Sequence, residues 1–347
     1  MEIFNAAAGR ETIAKGRRTK WWERRGGKSK GFKYFDGNGK EITNKTSLER
    51  IKDLVIPPAW RYVRICPSAA GRLQVVGMDT RGRIQYRYNP TFTRKKGREK
   101  FAKVEQFGRH LPELRKVTSK HLALDGVPKE KVLAAMVRLI NSLYFRVGTE
   151  QSEKHYKTYG ITTLKKDHIT FKPKGKLVFD FAGKSHVQHR MVLVDDQLTS
   201  VVKEVAAIPR GQRLFRYTDP EGKRRPIKPA DINTYLKNLT DTQFSSKDLR
   251  TWGGTLLAAS ALAEIGKGET GGEIKKNVVN AVKRVAEELG NTPAVCRSSY
   301  IHPAVLDAYA AGSTIEEFTP RRIRRIKGKQ LGLEPEEEAL LKLLRKS

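Results

Sequence analysis

The chain changes its hydrophobic period near residue 93. Before that point the apolar residues fall in short runs separated by turn residues. After it they recur every three or four positions. The first pattern suits strands and the second suits helices, so the two stretches belong to different layers. In the first, Phe32-Lys33-Tyr34-Phe35 runs into the hairpin turn Asp36-Gly37-Asn38-Gly39. Residues 73–79 and 82–88 flank a second turn at Thr80-Arg81, and Ile56-Pro57-Pro58-Ala59-Trp60 is a rigid extended connection. The expectation for 31–93 is a small, mainly antiparallel sheet domain.

Residues 94–105 are polar and basic and read as a linker. Beyond them Pro128 starts a helix with Val132, Met136, Leu139 and Leu143 on one stripe. Strands are expected at 161–164, 169–172, 177–181 and 187–193, with a turn at Ala182-Gly183-Lys184-Ser185. Helices then dominate, including one from Lys247 into the Ala-rich 256–265 and a closing one over 336–345. The fold class is α+β: a β-rich domain, then a larger, mainly helical domain over 106–347 carrying a small sheet. Residues 1–30, rich in Lys, Arg and Gly, read as a basic N-terminal arm, with Trp21 and Trp22 favouring docking of part of it.

Charge limits the partners. Sixty-nine Lys and Arg against 37 Asp and Glu leave a formal +32 over 347 residues. Such an excess calls for a polyanion, and double-stranded DNA is the expected one. Membrane binding is the weaker alternative, because no apolar run reaches the roughly 18 residues of a spanning helix. The N-terminus lacks the apolar core of a signal peptide, so a cytoplasmic, nucleoid-associated location is expected. Cys66 and Cys296 read as two reduced thiols. Gly266-Lys267-Gly268-Glu269-Thr270-Gly271 has dinucleotide spacing but follows a helix. Gly183-Lys184-Ser185 ends like a P-loop, but Val178 stands where the first glycine belongs. No nucleotide cofactor is expected. The histidines and cysteines lack metal-ligand spacing, so no metal is expected either.

Several residues carry chemistry. Tyr300 is a competent nucleophile toward phosphorus if cations hold the phosphate. Arg146, Lys184 and Arg250 are isolated cations that could do so. Each has an ordinary alternative: a helix-end contact for Arg146, an inert hairpin-tip lysine, packing for Tyr300. Arg250 lies near a helix start, where a cation is mildly unfavourable, and that favours a function. In Gln85-Tyr86-Arg87-Tyr88, alternation puts both tyrosines on one strand face, where they could stack or contact phosphate, while glutamine can read base edges.

Together these segments resemble the type IB DNA topoisomerases of the small kind found in bacteria and large DNA viruses. The likeness runs from roughly residue 30 to residue 310. It rests on Gln-Tyr-x-Tyr at 85–88, Arg-x-Gly at 146–148, the stretch 160–165, Gly-Lys at 183–184, Asp-Leu-Arg-Thr-Trp-Gly at 248–253, and Gly-Asn-Thr-Pro leading to Tyr300. The resemblance implies a C-shaped clamp around duplex DNA and a monomer. It implies Tyr300 as nucleophile, Arg146 and Arg250 as phosphate clamps, and Lys184 as the lysine of a mobile hairpin. It also implies DNA contacts from Gln85, Tyr86, Tyr88, Arg94, Lys95 and Lys165. Asn291 stands where the family usually has histidine. Asparagine can donate a hydrogen bond to phosphate but cannot exchange a proton. Thr149 departs from viral relatives that carry a lysine there. The implied activity is relaxation of supercoiled DNA through a 3′-phosphotyrosine, without ATP or metal. A tyrosine recombinase shares Arg, Lys, Arg and Tyr, but usually has a helical core-binding domain and an Arg-x-x-His motif, which Leu249-Arg250-Thr251-Trp252 lacks. A non-catalytic basic DNA binder would explain only the charge.

Overall fold

The computed structural model describes residues 6–27, 29, 31–240, 243–318 and 332–346. It divides into two compact units, Met1–Glu99 and Lys100–Ser347.

The first unit is an antiparallel sheet sandwiched by two helices. Its elements are α1 (Ala6–Ile13), β1 (Trp22–Gly27), β2 (Gly31–Phe35), α2 (Lys45–Asp53), β3 (Arg61–Ile65), β4 (Leu73–Met78) and β5 (Ile84–Tyr88), in the strand order β2-β1-β3-β4-β5. Strand β4 is buried on both faces. Val75 joins Val63, Ile65 and Ile51 of α2 on one side. Val76 and Met78 join Ile13 of α1 on the other. Residues 6–27, expected as a basic arm, are therefore built into this unit, and β1 is an interior strand of the sheet. Arg24 shows how a basic strand is accommodated: its guanidinium lies 4.1 Å from the Phe32 ring centroid and donates to the Trp60 carbonyl at 2.6 Å. Residues 1–5, 28 and 30 of that stretch lie outside the described residues. Helix α2 was not anticipated. Its start is set by Asn44, whose side chain accepts from the Ser47 amide at 2.9 Å.

Residues 94–105, expected as a linker, lie inside one continuous helix, α3 (Pro90–Leu122). The second unit continues with α4 (Lys129–Leu143) and α5 (Glu150–Tyr156). A three-stranded antiparallel sheet follows, β6 (Ile169–Lys172), β7 (Lys176–Ala182) and β8 (Gln188–Val194), with β7 central. Then come α6 (Asp196–Ala207), the short hairpin β9 (Arg216–Thr218) and β10 (Arg224–Pro226), α7 (Pro229–Thr240), α8 (Ser246–Ile265), α9 (Gly271–Leu289), α10 (Pro293–Ser299), α11 (Pro303–Ala310) and α12 (Pro335–Lys346). Helix α4 is buried nearly all round, which makes it the hub of the core. Trp252 of α8 lies over Gly108 of α3, where a Cβ would come within 2.3 Å of the indole. Helix α12 is fastened by a bidentate pair, Arg115 to Glu337, at 2.8 Å on both arms.

Residues 161–164 are not a strand. Ile161–Thr163 form a buried 3-10 turn. The Ile161 amide donates to the Arg146 carbonyl at 2.8 Å, and the Thr162 amide to that of Val147 at 2.8 Å. A Cβ on Gly160 would lie 2.5 Å from the Arg146 oxygen. The Arg-x-Gly and Gly160 segments are thus two halves of one backbone junction, and glycine is required where they cross.

Candidate active site

Four of the expected residues converge on the end of α9. Helix α4 stops at Tyr144 in the left-handed conformation (φ 54°), and the chain turns into Arg146. The Tyr144 ring rests on Gly253 of α8, where any Cβ would clash at 2.0 Å. From there Arg146 Nη2 donates to the Gly290 carbonyl at 2.6 Å and to Asn291 Oδ1 at 2.5 Å. Arg250, buried in the second turn of α8, donates from Nη2 to the Leu289 carbonyl at 3.0 Å. Two arginines therefore face the C-terminal carbonyls of a 19-residue helix. The negative end of that helix offsets their mutual repulsion. It also resolves why a cation sits near the start of α8.

Tyr300 caps α10, its amide donating to the Cys296 carbonyl at 2.9 Å. Its backbone packs on Gly254, where a Cβ would come within 2.8 Å of the Tyr300 oxygen. Thr255 Oγ1 lies 3.2 Å from that carbonyl and accepts from the His302 amide at 3.1 Å. The Arg250 guanidinium carbon is 5.3 Å from the Tyr300 ring centroid.

Burial lowers the Arg146 pKa to about 10, helped by Arg250 and opposed by Tyr300, so the group stays charged at neutral pH. Burial also lowers Arg250, again opposed by Tyr300. Two donors here, Arg250 Nε and Asn291 Nδ2, are buried with no partner in full hydrogen-bond geometry, although the Arg250 guanidinium lies near the Tyr300 hydroxyl and the Asn291 amide near the Cys296 sulfur. The Arg146 contact fixes the amide orientation of Asn291, leaving Nδ2 free to donate. The adjacent Cys296 thiol is a weak acceptor, and burial pushes its pKa up. Such orphaned donors are expensive unless a ligand completes them.

Lys184 stands apart from this cluster. It is exposed at the tip of the β7–β8 hairpin, with Ser185 and His186 in left-handed conformations beside it. Gly183, where β7 enters the tip loop, lines a narrow cavity with Arg146, Arg250 and His189. His189 was not singled out by sequence, and a lone histidine on a strand carries no signal there.

The expected DNA contacts divide. Tyr86 and Tyr88 are 44% and 45% exposed, with ring centroids 6.4 Å apart on one face of β5, and Phe92 follows Tyr88 at 5.7 Å. Gln85 points the other way and donates to Asp79 Oδ2 at 2.9 Å, so its amide is already engaged. Arg94 and Lys95 are exposed on α3. Lys165 is half-buried, with Nζ 5.6 Å from the Tyr159 ring centroid. Among the described residues no group of three or more His, Cys, Asp or Glu is placed to hold a metal, and no helix is long and apolar enough to cross a membrane.

His168, His189 and His302 are each held below the ordinary histidine pKa of 6.5 by burial. The unfolded chain therefore takes up protons first as pH falls below 6.5. These residues impose no penalty above that value and cost stability below it. The melting temperature is expected to fall between pH 7 and pH 5, less steeply in His168→Gln, as thermal melts across that range would record.

A mainly helical unit carrying a buried arginine, a half-buried arginine and a tyrosine, preceded by a small antiparallel sheet unit, fits an enzyme class that handles phosphodiesters through tyrosine. Residues 89–325 match the family model described as eukaryotic DNA topoisomerase I, catalytic core, and residues 31–79 match that of the bacterial DNA topoisomerase IB N-terminal domain. DNA topoisomerase 1B of Acanthamoeba polyphaga mimivirus is 33% identical over 285 residues, covering 80% of this chain and 84% of the relative. DNA topoisomerase I of Monkeypox virus is 22% identical over 253 residues, covering 71% and 75%. DNA topoisomerase 1 of Candida albicans is 28% identical over 149 residues, 42% of this chain and 18% of that longer one. The chain belongs to the type IB DNA topoisomerases. It is an isomerase of DNA topology, relaxing supercoiled duplex by transient cleavage and religation of one strand. These matches lend no support to the recombinase or the passive binder.

Proposed function

We propose that Tyr300 is the nucleophile and that Arg146, Arg250 and Asn291 hold the scissile phosphate. The observation that carries this reading is the pair of buried, unpartnered donors, Arg250 Nε and Asn291 Nδ2, beside two arginines and a tyrosine. Non-bridging phosphate oxygens would satisfy both donors and neutralise the charge. Tyr300 Oη forms a bond to phosphorus and its proton leaves to solvent. The bond from phosphorus to the 5′ oxygen breaks, and Lys184 gives that oxygen a proton. The DNA end becomes a 3′-phosphotyrosine, and the arginines and Asn291 stabilise charge building on the oxygens. The phosphotyrosine keeps the energy of the broken link, so no ATP is required and no metal is needed for charge stabilisation. After strand rotation the 5′-hydroxyl attacks phosphorus and Tyr300 departs.

Lys184 must then reach the site from its exposed tip, which suits a hairpin that closes on bound DNA. Tyr86, Tyr88, Arg94, Lys95 and Lys165 would contact the duplex, with Gln85 doing so only by giving up Asp79. All four clustered residues come from one chain, so one copy can complete the site, and action on DNA as a monomer is proposed on that ground. The test is supercoiled plasmid incubated with the protein in EDTA without ATP. Relaxed topoisomers are expected; a plasmid left supercoiled by folded, DNA-binding protein would overturn the proposal.

Asn291 serves on two sides, accepting from Arg146 and offering Nδ2. Neutral histidine can do both with its two ring nitrogens. Asn291→His is therefore expected to retain or raise the cleavage rate. Asn291→Asp keeps the acceptor, loses the donor and sets a carboxylate against phosphate, so cleavage should slow by roughly 10²- to 10³-fold. Single-turnover cleavage of a defined duplex distinguishes the two.

A further inference from the structure

We propose that His189 is a positioning residue for strand cleavage, a spacer that sets the foot of the loop carrying Lys184 against the α9 cap that holds the arginines. This rests on the proposed role of Lys184 as the acid. The His189 side chain leaves β8 and is only 9% exposed. Its ring occupies a slot between two glycines from different elements. A Cβ on Gly183 would come within 2.4 Å of ring Cδ2, and a Cβ on Gly290 within 2.2 Å of ring Cε1. Phe181 of β7 covers one face, with centroids 5.3 Å apart and planes 22° apart.

The two glycines are functionally placed. Gly183 immediately precedes Lys184, and its amide closes the turn on the Val187 carbonyl at 2.8 Å. Gly290 gives its carbonyl to Arg146 and immediately precedes Asn291. The ring thus touches the backbone next to the acid and the backbone next to the clamp. A side chain at either glycine would force the two apart. An acid on a tip loop delivers its proton only if the foot of that loop is fixed relative to phosphorus, because effective concentration falls steeply with misplacement. Burial and the two arginines lower the His189 pKa, which disfavours a third cation in the cluster.

The experiment compares single-turnover cleavage of two suicide duplexes. In one the scissile phosphate has its ordinary 5′ oxygen; in the other sulfur replaces it. Sulfur leaves as a thiolate with its electron pair and needs no acid. Lys184→Ala should lose roughly 10²- to 10⁴-fold on oxygen and little on sulfur; that arm tests the role of Lys184 alone. His189→Ala should lose about tenfold or more on oxygen and little on sulfur, and should slow Lys184→Ala no further. Gly183→Ala, whose φ of −88° alanine tolerates, should reproduce that selective loss by pushing the ring, and it decides the matter if His189→Ala fails to fold. Equal losses on both substrates, full additivity with Lys184→Ala, or no loss in either variant would overturn the role of His189.

Discussion

Tyr300→Phe is expected to abolish plasmid relaxation while leaving DNA binding within about twofold. Removing the oxygen removes the only bond-forming atom the proposal assigns to the protein, and loss of a nucleophile typically costs roughly 10⁴- to 10⁶-fold. The ring should stay where it is. Its backbone is held by the Cys296 carbonyl and by the close approach to Gly254, neither of which involves the hydroxyl. A melting temperature near that of the parent, unaltered binding to a labelled duplex and no relaxation form the expected set. Residual relaxation above about one part in 10³ would point to another nucleophile.

Arg250→Ala carries the second large effect. Arg250 is buried, donates to the Leu289 carbonyl, lies against the Tyr300 ring and keeps Nε unpartnered. Its replacement removes a charge-stabilising donor, a contact that orients the nucleophile and the cation that satisfies the end of α9. Arginines that stabilise phosphoryl transfer contribute roughly 10³- to 10⁵-fold, and a loss of that order is expected in the single-turnover cleavage rate. Arg250→Lys should recover only part of it. A lysine cannot bridge the Leu289 carbonyl and a phosphate oxygen with a planar fork. A drop under tenfold in Arg250→Ala would place the phosphate elsewhere.

Much of the architecture was legible because it follows from local chemistry. The change of period separated the sheet unit from the helical one. The hairpin turns share one device. Asp36, Asp79 and Asp219 each accept backbone amides with Oδ1, and each is followed by a glycine of positive φ, Gly39, Gly82 and Gly222. The first two turns were read from sequence, whereas the third, which closes the β9–β10 hairpin, was passed over inside a helical stretch. Helix α2 was missed because its apolar content is small and only the Asn44 cap marks it. Residues 6–27 read as a basic arm from their charge; Trp21 and Trp22 signalled docking, but the pairing of Arg24 with the Phe32 ring is set only by the fold.

The site divides in the same way. Arg146 and Arg250 are far in sequence from each other and from the Asn291–Tyr300 segment, but all four meet at the α9 terminus, as the family pattern implies. The reason they can meet was not legible. It lies in Gly253 and Gly254, which admit the Tyr144 ring and the Tyr300 backbone, and in the α9 carbonyls that face the two arginines. His189 was invisible for a related cause: its meaning comes from two glycines whose proximity only the fold creates. The engagement of Gln85 with Asp79 likewise depends on a cross-turn contact that strand alternation does not encode.

In the proposed mechanism Tyr300 forms the covalent link to a 3′ phosphate. The most direct measurement is to stop a cleavage reaction on an end-labelled duplex with denaturant, digest with protease, and identify both the modified peptide and the labelled strand end by mass spectrometry. The adduct is expected on the peptide containing Tyr300, attached to the 3′ end, with a free 5′-hydroxyl on the other fragment. An adduct on another residue, or one attached through the 5′ end, would contradict it.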